Sequence, residues 1–468
     1  MVFSSLIFIF VFLPLALLLY YFSPKKLKNF TILFISLIFY GWGEPLYISL
    51  MVFSIIFDYF ASLFINKHRY NKKKSKRIFI ITIIINLVLL AFFKYFAFII
   101  DNINALFGLS IIVDRLPLPI GISFYTFQIL SYVIDVYLGK VKVQKNIINF
   151  GAYVTMFPQL VAGPIVRYSD IAYQLKHRKE NFDKFSDGVE RFIIGLGKKV
   201  LIANNIGLLW TSIKAIEISD LSVLSSWIGI IAFTLQIYFD FSGYSDMAIG
   251  LGKMFGFEFI ENFNYPYISK SVSEFWRRWH ISLGSWFREY IYIPLGGNRV
   301  NFPKQCRNLF IVWFTTGLWH GASWNFIFWG LYFGFFIFIE KIFLGNYLSK
   351  IPKFASNLYT MIIVIVGWVF FDIDKLSNSF KYLKVMFCLN GNKFIDKAFI
   401  YYFYTNFILI IIAILCSTPI VNIIHKKFKQ RFTIKSAVIM SFTLIFILFL
   451  STTYLVNESF NPFLYFRF

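Results

Sequence analysis

Two of the five histidines in this chain fall where a titratable side chain could do chemistry. His280 lies in Ser271-Val-Ser-Glu-Phe-Trp-Arg-Arg-Trp-His280-Ile-Ser-Leu-Gly-Ser-Trp-Phe-Arg-Glu-Tyr290, and His320 in Thr315-Thr-Gly-Leu-Trp-His320-Gly-Ala-Ser-Trp-Asn325. His68, His177 and His425 sit in Lys/Arg-rich stretches and read as solvated surface groups. An imidazole titrates near neutrality and suits the removal of a proton from a hydroxyl. An ionisable group inside a spanning segment is costly, so His320 reads as a functional position. Gly317 and Gly321 bracket it at a spacing that lets another backbone or a substrate approach. Two readings stay open for it, a chemical group or an uncharged imidazole satisfied within a bundle. For His280 the plainer alternative is a hydrogen-bonded core histidine beside a kink at Gly284. A third cluster, Tyr238-Phe-Asp240-Phe-Ser242-Gly-Tyr244-Ser245-Asp246, puts two carboxylates and two serines at the end of an apolar run. Ser242 and Asp246 could form a nucleophile and its helper. The duller account is a helix end, with Asp246 capping it or pairing with Arg277 or Arg278.

The elements that position these residues are membrane helices. Of 468 residues, 58% are hydrophobic, 22% aromatic and 15% charged. A soluble domain is about 25% charged, and a disordered chain lacks this much apolar surface, so both are excluded. Uncharged runs such as Val2–Phe22 and Phe354–Phe371 match the about 20 apolar residues that a spanning helix needs. The reading is an all-α polytopic membrane protein, one continuous domain over residues 1–468. The 46 Lys and Arg against 23 Asp and Glu give +23. These cations fall mostly in short loops between apolar runs, which fits the positive-inside rule and argues against nucleic acid. Cys306, Cys388 and Cys416 have neither metal-ligand spacing nor a pairing pattern, so no metal and no disulfide framework is implied.

Basic and non-basic loops alternate. Val2–Phe22 reads as a retained first span, because no basic segment precedes it and no cleavage site follows. Lys25, Lys26 and Lys28 then place the first loop inside and Met1 outside. Lys67–Arg77, with seven Lys or Arg, is inside again, as are Lys140–Lys145, Lys341–Lys353 and His425–Lys435. Asp372–Lys397 is expected outside. Phe157–Pro164 holds two prolines and a glycine, so a re-entrant or interfacial segment is expected there. Lys198 and Lys199 sit oddly within an expected span at Phe192–Thr211. Leu309–Glu340 is too long for one span, since 32 residues of helix reach ~48 Å against a core of about 30 Å. A break near Gly317–Ala322 is expected. Within 271–290, Phe275, Trp279, Leu283, Trp286 and Tyr290 fall on one stripe of a single helix, with Glu274, Arg277, Arg278, Arg288 and Glu289 opposite. Such a helix would lie in the cytoplasmic interface.

Three blocks together resemble the membrane-bound O-acyltransferase family, in its bacterial polysaccharide O-acetyltransferase branch. They are Phe239–Asp246, Glu261–Tyr267 through Phe275–Ser282, and Gly317–Trp324. Leu118–Tyr125, Pro158–Pro164 and Tyr292–Arg299 support the match, which keeps its order along nearly the whole chain, with the core motifs in 117–340. The resemblance implies a ring of about 11–12 spanning helices with re-entrant helices and a central tunnel. It implies that His320 is the catalytic residue and His280 a second functional position. The donor would be an acyl thioester, acetyl-CoA or an acyl-carrier protein, docking on the Arg277, Arg278 and Arg288 surface, with no bound cofactor. Donors for the developing oxyanion would come from Ser323, Asn325 or Trp indole N–H groups, and Asp240, Ser242, Asp246, Asn264, Trp276, Arg277, Arg278 and Trp324 would line the substrate route. The acceptor would be an extracytoplasmic polysaccharide or peptidoglycan, finished by an SGNH-type acetyltransferase or another accessory partner outside the cytoplasmic membrane. The tail Phe463–Phe468 resembles an aromatic motif in which a tyrosine, here Tyr465, carries the acyl group; interfacial anchoring is the alternative. Two other functions remain open: a transporter or flippase of an envelope precursor, and acylation of a lipid or protein hydroxyl. A transporter predicts inverted half-sequences, which are not evident.

Overall fold

The computed structural model describes residues 1–161, 163–430 and 434–457. Among them every regular element is a helix. Eight helices are long and apolar enough to cross a membrane, against the 11–12 spans expected. Several apolar runs make helices shorter than their sequence limits, and the causes are local. The first begins at Phe8, giving α1 (Phe8–Phe22). The second, α2 (Lys28–Gly43), stops at the Gly41-Trp-Gly-Glu-Pro45 break. Then come α3 (Ile48–Lys67) and α4 (Lys72–Phe107), the latter started by the Asn71 side chain accepting from the Lys74 N–H and ended by Gly108 in the left-handed region. The next helix, α5 (Ile122–Leu138), starts late because Pro117 and Pro119 precede it and Gly121 takes φ 76°.

The chain divides into two compact units, residues 1–192 with 247–260, and residues 193–246 with 261–468. In the first unit, α6 (Ile147–Thr155) packs on α2 and is followed by a buried one-turn helix, Phe157–Leu160. This interruption matches the expected departure from a plain span at Phe157–Pro164. A polar clasp closes the unit around Tyr20. Its hydroxyl donates to the Phe255 carbonyl at 2.9 Å, lies 2.6 Å from Glu180 and accepts from Arg178 at 2.8 Å.

Two helices contribute residues to both units, α7 (Phe182–Lys214) and α8 (Val223–Met254). The second unit continues with α9 (Val272–Arg278), α10 (Ile281–Phe287), α11 (Phe302–His320), α12 (Trp324–Ile339), α13 (Lys353–Asp372), α14 (Leu376–Met386), α15 (Lys397–Cys416), α16 (Ile420–Gln430) and α17 (Ile434–Asn457). Its core is aromatic, with Phe233, Phe239, Phe275, Trp279, Trp329, Phe333 and Trp368 buried together. The lysines that made the span at Phe192–Thr211 look odd are explained here. Lys199 pairs with Asp240 at 2.6 Å, both almost fully buried, and Lys198 pairs with Asp246 at 2.6 Å. Both lysines lie in a π-helical turn, Lys198–Asn204, a form that recurs at functional sites.

Candidate active site

Helices α11 and α12 pack closely, because small residues let their backbones meet. A Cβ on Gly317 would overlap the Phe326 carbonyl, and one on Gly330 would overlap the Trp313 carbonyl. The close approach inferred around His320 is thus made at Gly317 by a neighbouring backbone. Helix α11 ends at His320 itself, and extended backbone at Gly321 turns the chain. The Ser323 hydroxyl then accepts from the Phe326 N–H at 3.4 Å and starts α12. The expected break therefore falls just past His320.

The His320 ring is buried in an aromatic cage. Trp319, Trp329 and Phe371 meet it nearly edge-on, with centroids 5.0, 4.8 and 5.4 Å away. Trp329 and Trp276 each keep a buried indole N–H that has no hydrogen-bond partner among the described residues, and their rings are 5.4 Å apart. Trp319 also lies 6.0 Å from the ring of His280, so one indole stands between the two imidazoles.

The single amphipathic helix expected over 271–290 is broken. Helix α9 ends at Arg278, Trp279 is extended, and His280 occupies the left-handed region at φ 44°, ψ 54° before α10 begins. The bend lies at His280 and not at Gly284, which sits inside α10. A non-glycine residue at positive φ costs free energy and persists only where its surroundings enforce it. The segment 262–264 does so. The Asn264 N–H donates to the Arg278 carbonyl at 2.9 Å, and the Ile281 N–H donates to the Asn262 carbonyl at 3.0 Å. His280 is fully enclosed, with Phe241 edge-on at 4.6 Å. Burial, against a smaller opposing backbone hydrogen bond, pulls its pKa down to about 3, so the ring stays neutral at neutral pH. Its Nδ1 lies 3.2 Å from Asn262 Oδ1 and 3.4 Å from Ser282 Oγ.

The other residues picked out by sequence divide into those near this centre and those engaged elsewhere. Ser242 is buried on α8 with no partner for its hydroxyl among the described residues. Asp240 and Asp246 hold Lys199 and Lys198, so Asp246 does not pair with Arg277 or Arg278; the lysines one helix away are nearer. Arg278 instead binds Glu274 at 2.9 Å and the Asn264 carbonyl at 3.0 Å. Burial alone would raise the Glu274 pKa, but the Lys270 N–H and Arg278 outweigh it and hold the carboxyl below its usual range. Arg277 and Arg288 are exposed. Asn264 is exposed and acts through its backbone. Asn325 does not face His320, since its amide donates to the Ile373 carbonyl at 2.6 Å and so holds the end of α13. Ser323 is a helix cap, and Trp324 is 58% exposed. Tyr465 lies outside the described residues.

Sequence reasoning missed Asn262, although it lies one position into the Glu261–Tyr267 block. It also missed Glu340, whose buried carboxylate accepts from the N–H groups of Val272 and Ser273 at 2.6 and 2.8 Å. That caps α9, where a helix start favours negative charge. Among the described residues no group of His, Cys, Asp and Glu gathers as a metal site.

Comparison with known proteins identifies the family. The model of the membrane-bound O-acyltransferase family matches residues 139–381. The chain is 42% identical to a probable alginate O-acetylase of Azotobacter vinelandii, over 83% of this chain and 78% of that protein. It is 35% identical to a peptidoglycan O-acetyltransferase of Helicobacter pylori, over 84% and 80%. It is 29% identical to a teichoic acid D-alanyltransferase of Bacillus subtilis, over 53% and 65%. With its helical membrane fold and its motif histidines buried in one unit, the chain belongs to the membrane-bound O-acyltransferase family and is a multi-pass acyltransferase.

Proposed function

We propose that this acyltransferase takes an acetyl group from a cytoplasmic thioester and passes it towards O-acetylation of an extracytoplasmic polysaccharide or peptidoglycan. The observation that carries this reading is the pair of enclosed histidines, 280 and 320, with Trp319 between them. His320 acts as the base. It removes the acceptor's hydroxyl proton as the oxygen attacks the thioester carbonyl, then returns that proton to the sulfur as the C–S bond breaks. The apolar cage excludes water, which favours transfer over hydrolysis. The Trp329 N–H beside His320 supplies a hydrogen bond to the oxyanion of the tetrahedral intermediate.

The donor is acetyl-CoA or an acyl-carrier protein, which meets the exposed cations Arg277 and Arg288. The relatives named as a probable alginate O-acetylase and a peptidoglycan O-acetyltransferase support a glycan acceptor. An SGNH-type acetyltransferase outside the cytoplasmic membrane, with Met1 on that same side, completes the route. The test uses inside-out membrane vesicles given acetyl-labelled thioester. Label should enter alkali-labile ester in the wild type and fall by at least ~10²-fold in His320→Ala, the usual minimum for a lost general base. Equal incorporation by both proteins would overturn the assignment.

A further inference from the structure

Asn262 has an orientation that its partners determine. The Ser282 N–H can only donate, so the amide atom 3.2 Å from it is Oδ1, and Nδ2 on the other side donates to Ser245 Oγ at 3.2 Å. At Oδ1 three groups converge: the Ser282 N–H at 3.2 Å, the Ser282 hydroxyl at 2.9 Å and His280 Nδ1 at 3.2 Å. An amide oxygen only accepts hydrogen bonds. Nδ1 must therefore bring the proton, and in a neutral imidazole the lone pair then lies on Nε2.

We infer that Asn262 is a positioning residue that fixes His280 as its Nδ1–H tautomer, making Nε2 the nitrogen that accepts a proton or hydrogen bond during acyl transfer. The inference rests on the reading above that His280 takes part in the reaction. Three features of the second unit serve it. Ser245 on α8 orients the amide, the 262–264 segment pins the bend by backbone pairing, and Ser282 fills the remaining side of Oδ1. The rings facing His280 are uncharged, Phe241 from α8 and Trp319 from α11. The nearby charges are paired with other groups: Asp240 and Asp246 of α8 with Lys199 and Lys198, and Glu274 with Arg278 on α9. The Asn262 amide oxygen at 3.2 Å and the Ser282 hydroxyl at 3.4 Å are thus polar groups that meet Nδ1.

The test uses the full chain in nanodiscs with 15N-labelled histidine, and assigns the His280 signals by comparison with His280→Gln. The wild type should show a protonated Nδ1 and an unprotonated Nε2. Asn262→Leu should populate the Nε2–H form and slow acetyl transfer at least tenfold, with donor KM little changed. Asn262→Asp keeps the acceptor but adds a negative charge, which favours the imidazolium. It should raise the pH at which the 15N signals of His280 report the imidazolium by about one unit, as an opposite charge at this range does. An asparagine that does not touch Nδ1 would leave that titration in place. An Nε2–H tautomer in the wild type, or superimposable His280 titrations for wild type and Asn262→Asp, would overturn the inference. Full acetyl transfer by His280→Gln would instead remove the role given to His280, while the tautomer spectra would still judge what Asn262 does.

Discussion

At the scale of the residue, the account turns on a few polar groups left inside an aromatic interior. Trp329→Phe keeps a ring against His320 and removes only the indole N–H. If that N–H serves the oxyanion, turnover should fall ~10²-fold while donor KM stays near wild type. Initial rates over a range of donor concentrations check this, and an unchanged turnover rejects Trp329 as the donor. Both histidines were legible in the sequence because an ionisable side chain among apolar residues is conspicuous. Their surroundings were less so. Asn262 and Asn264 lie two positions apart in one motif, yet one is buried against His280 and the other is exposed. Sequence spacing cannot separate them, because backbone pairing with the His280 bend decides which side chain turns inward. The partner of Asp246 is hidden for a related reason, since Lys198 interrupts an apolar run in the sequence and only the fold brings it to this carboxylate.

At the scale of the element, helix ends and close helix contacts set the geometry. The break after His320 was legible from length, because no single helix of that extent fits a bilayer. The break at His280 was not. The 271–290 stripe has unbroken helical periodicity, and only the long-range contacts of 262–264 enforce the left-handed turn. The α11–α12 crossing gives a direct prediction. Gly330→Leu places a side chain where the Trp313 carbonyl lies, so overpacking should cost at least ~1–3 kcal/mol and lower Tm in detergent. A Tm equal to wild type would contradict the crossing. The Lys199–Asp240 pair makes a second prediction. Lys199→Met leaves a buried carboxylate without this cation and should cost about 3–5 kcal/mol, whereas Lys199→Met with Asp240→Leu should recover most of that stability. Denaturation of the single and double variants decides it, and a double variant no more stable than the single one argues against the pairing.

At the scale of the molecule, composition sufficed for a polytopic helical protein, and the loop charges give an expected orientation. The limits of individual helices were less legible, because prolines and glycines shorten helices inside runs that remain apolar. The orientation is testable with a native probe. Cys388 is exposed in the Asp372–Lys397 loop, expected outside, so an impermeant maleimide should label it in intact cells. Labelling only after the cells are opened would reverse the topology. The clasp in the first unit adds a pH dependence. Burial would raise the Glu180 pKa, but hydrogen bonds from Tyr20 and Lys28 outweigh it and hold the carboxyl below its ordinary value of 4.5. A depressed carboxyl contributes stability above its unfolded pKa, and that contribution is lost as pH falls through the lower folded value. Glu180→Gln should therefore flatten the acid side of a Tm–pH curve measured below about pH 4.5. The central claim is that the chain performs His320-dependent acetyl transfer towards an envelope glycan. Its most direct measurement is alkali-labile acetate on glycan isolated from cells carrying either the wild-type chain or His320→Ala at equal membrane levels. The account predicts that the ester is lost in the variant; wild-type ester in the His320→Ala cells would contradict it.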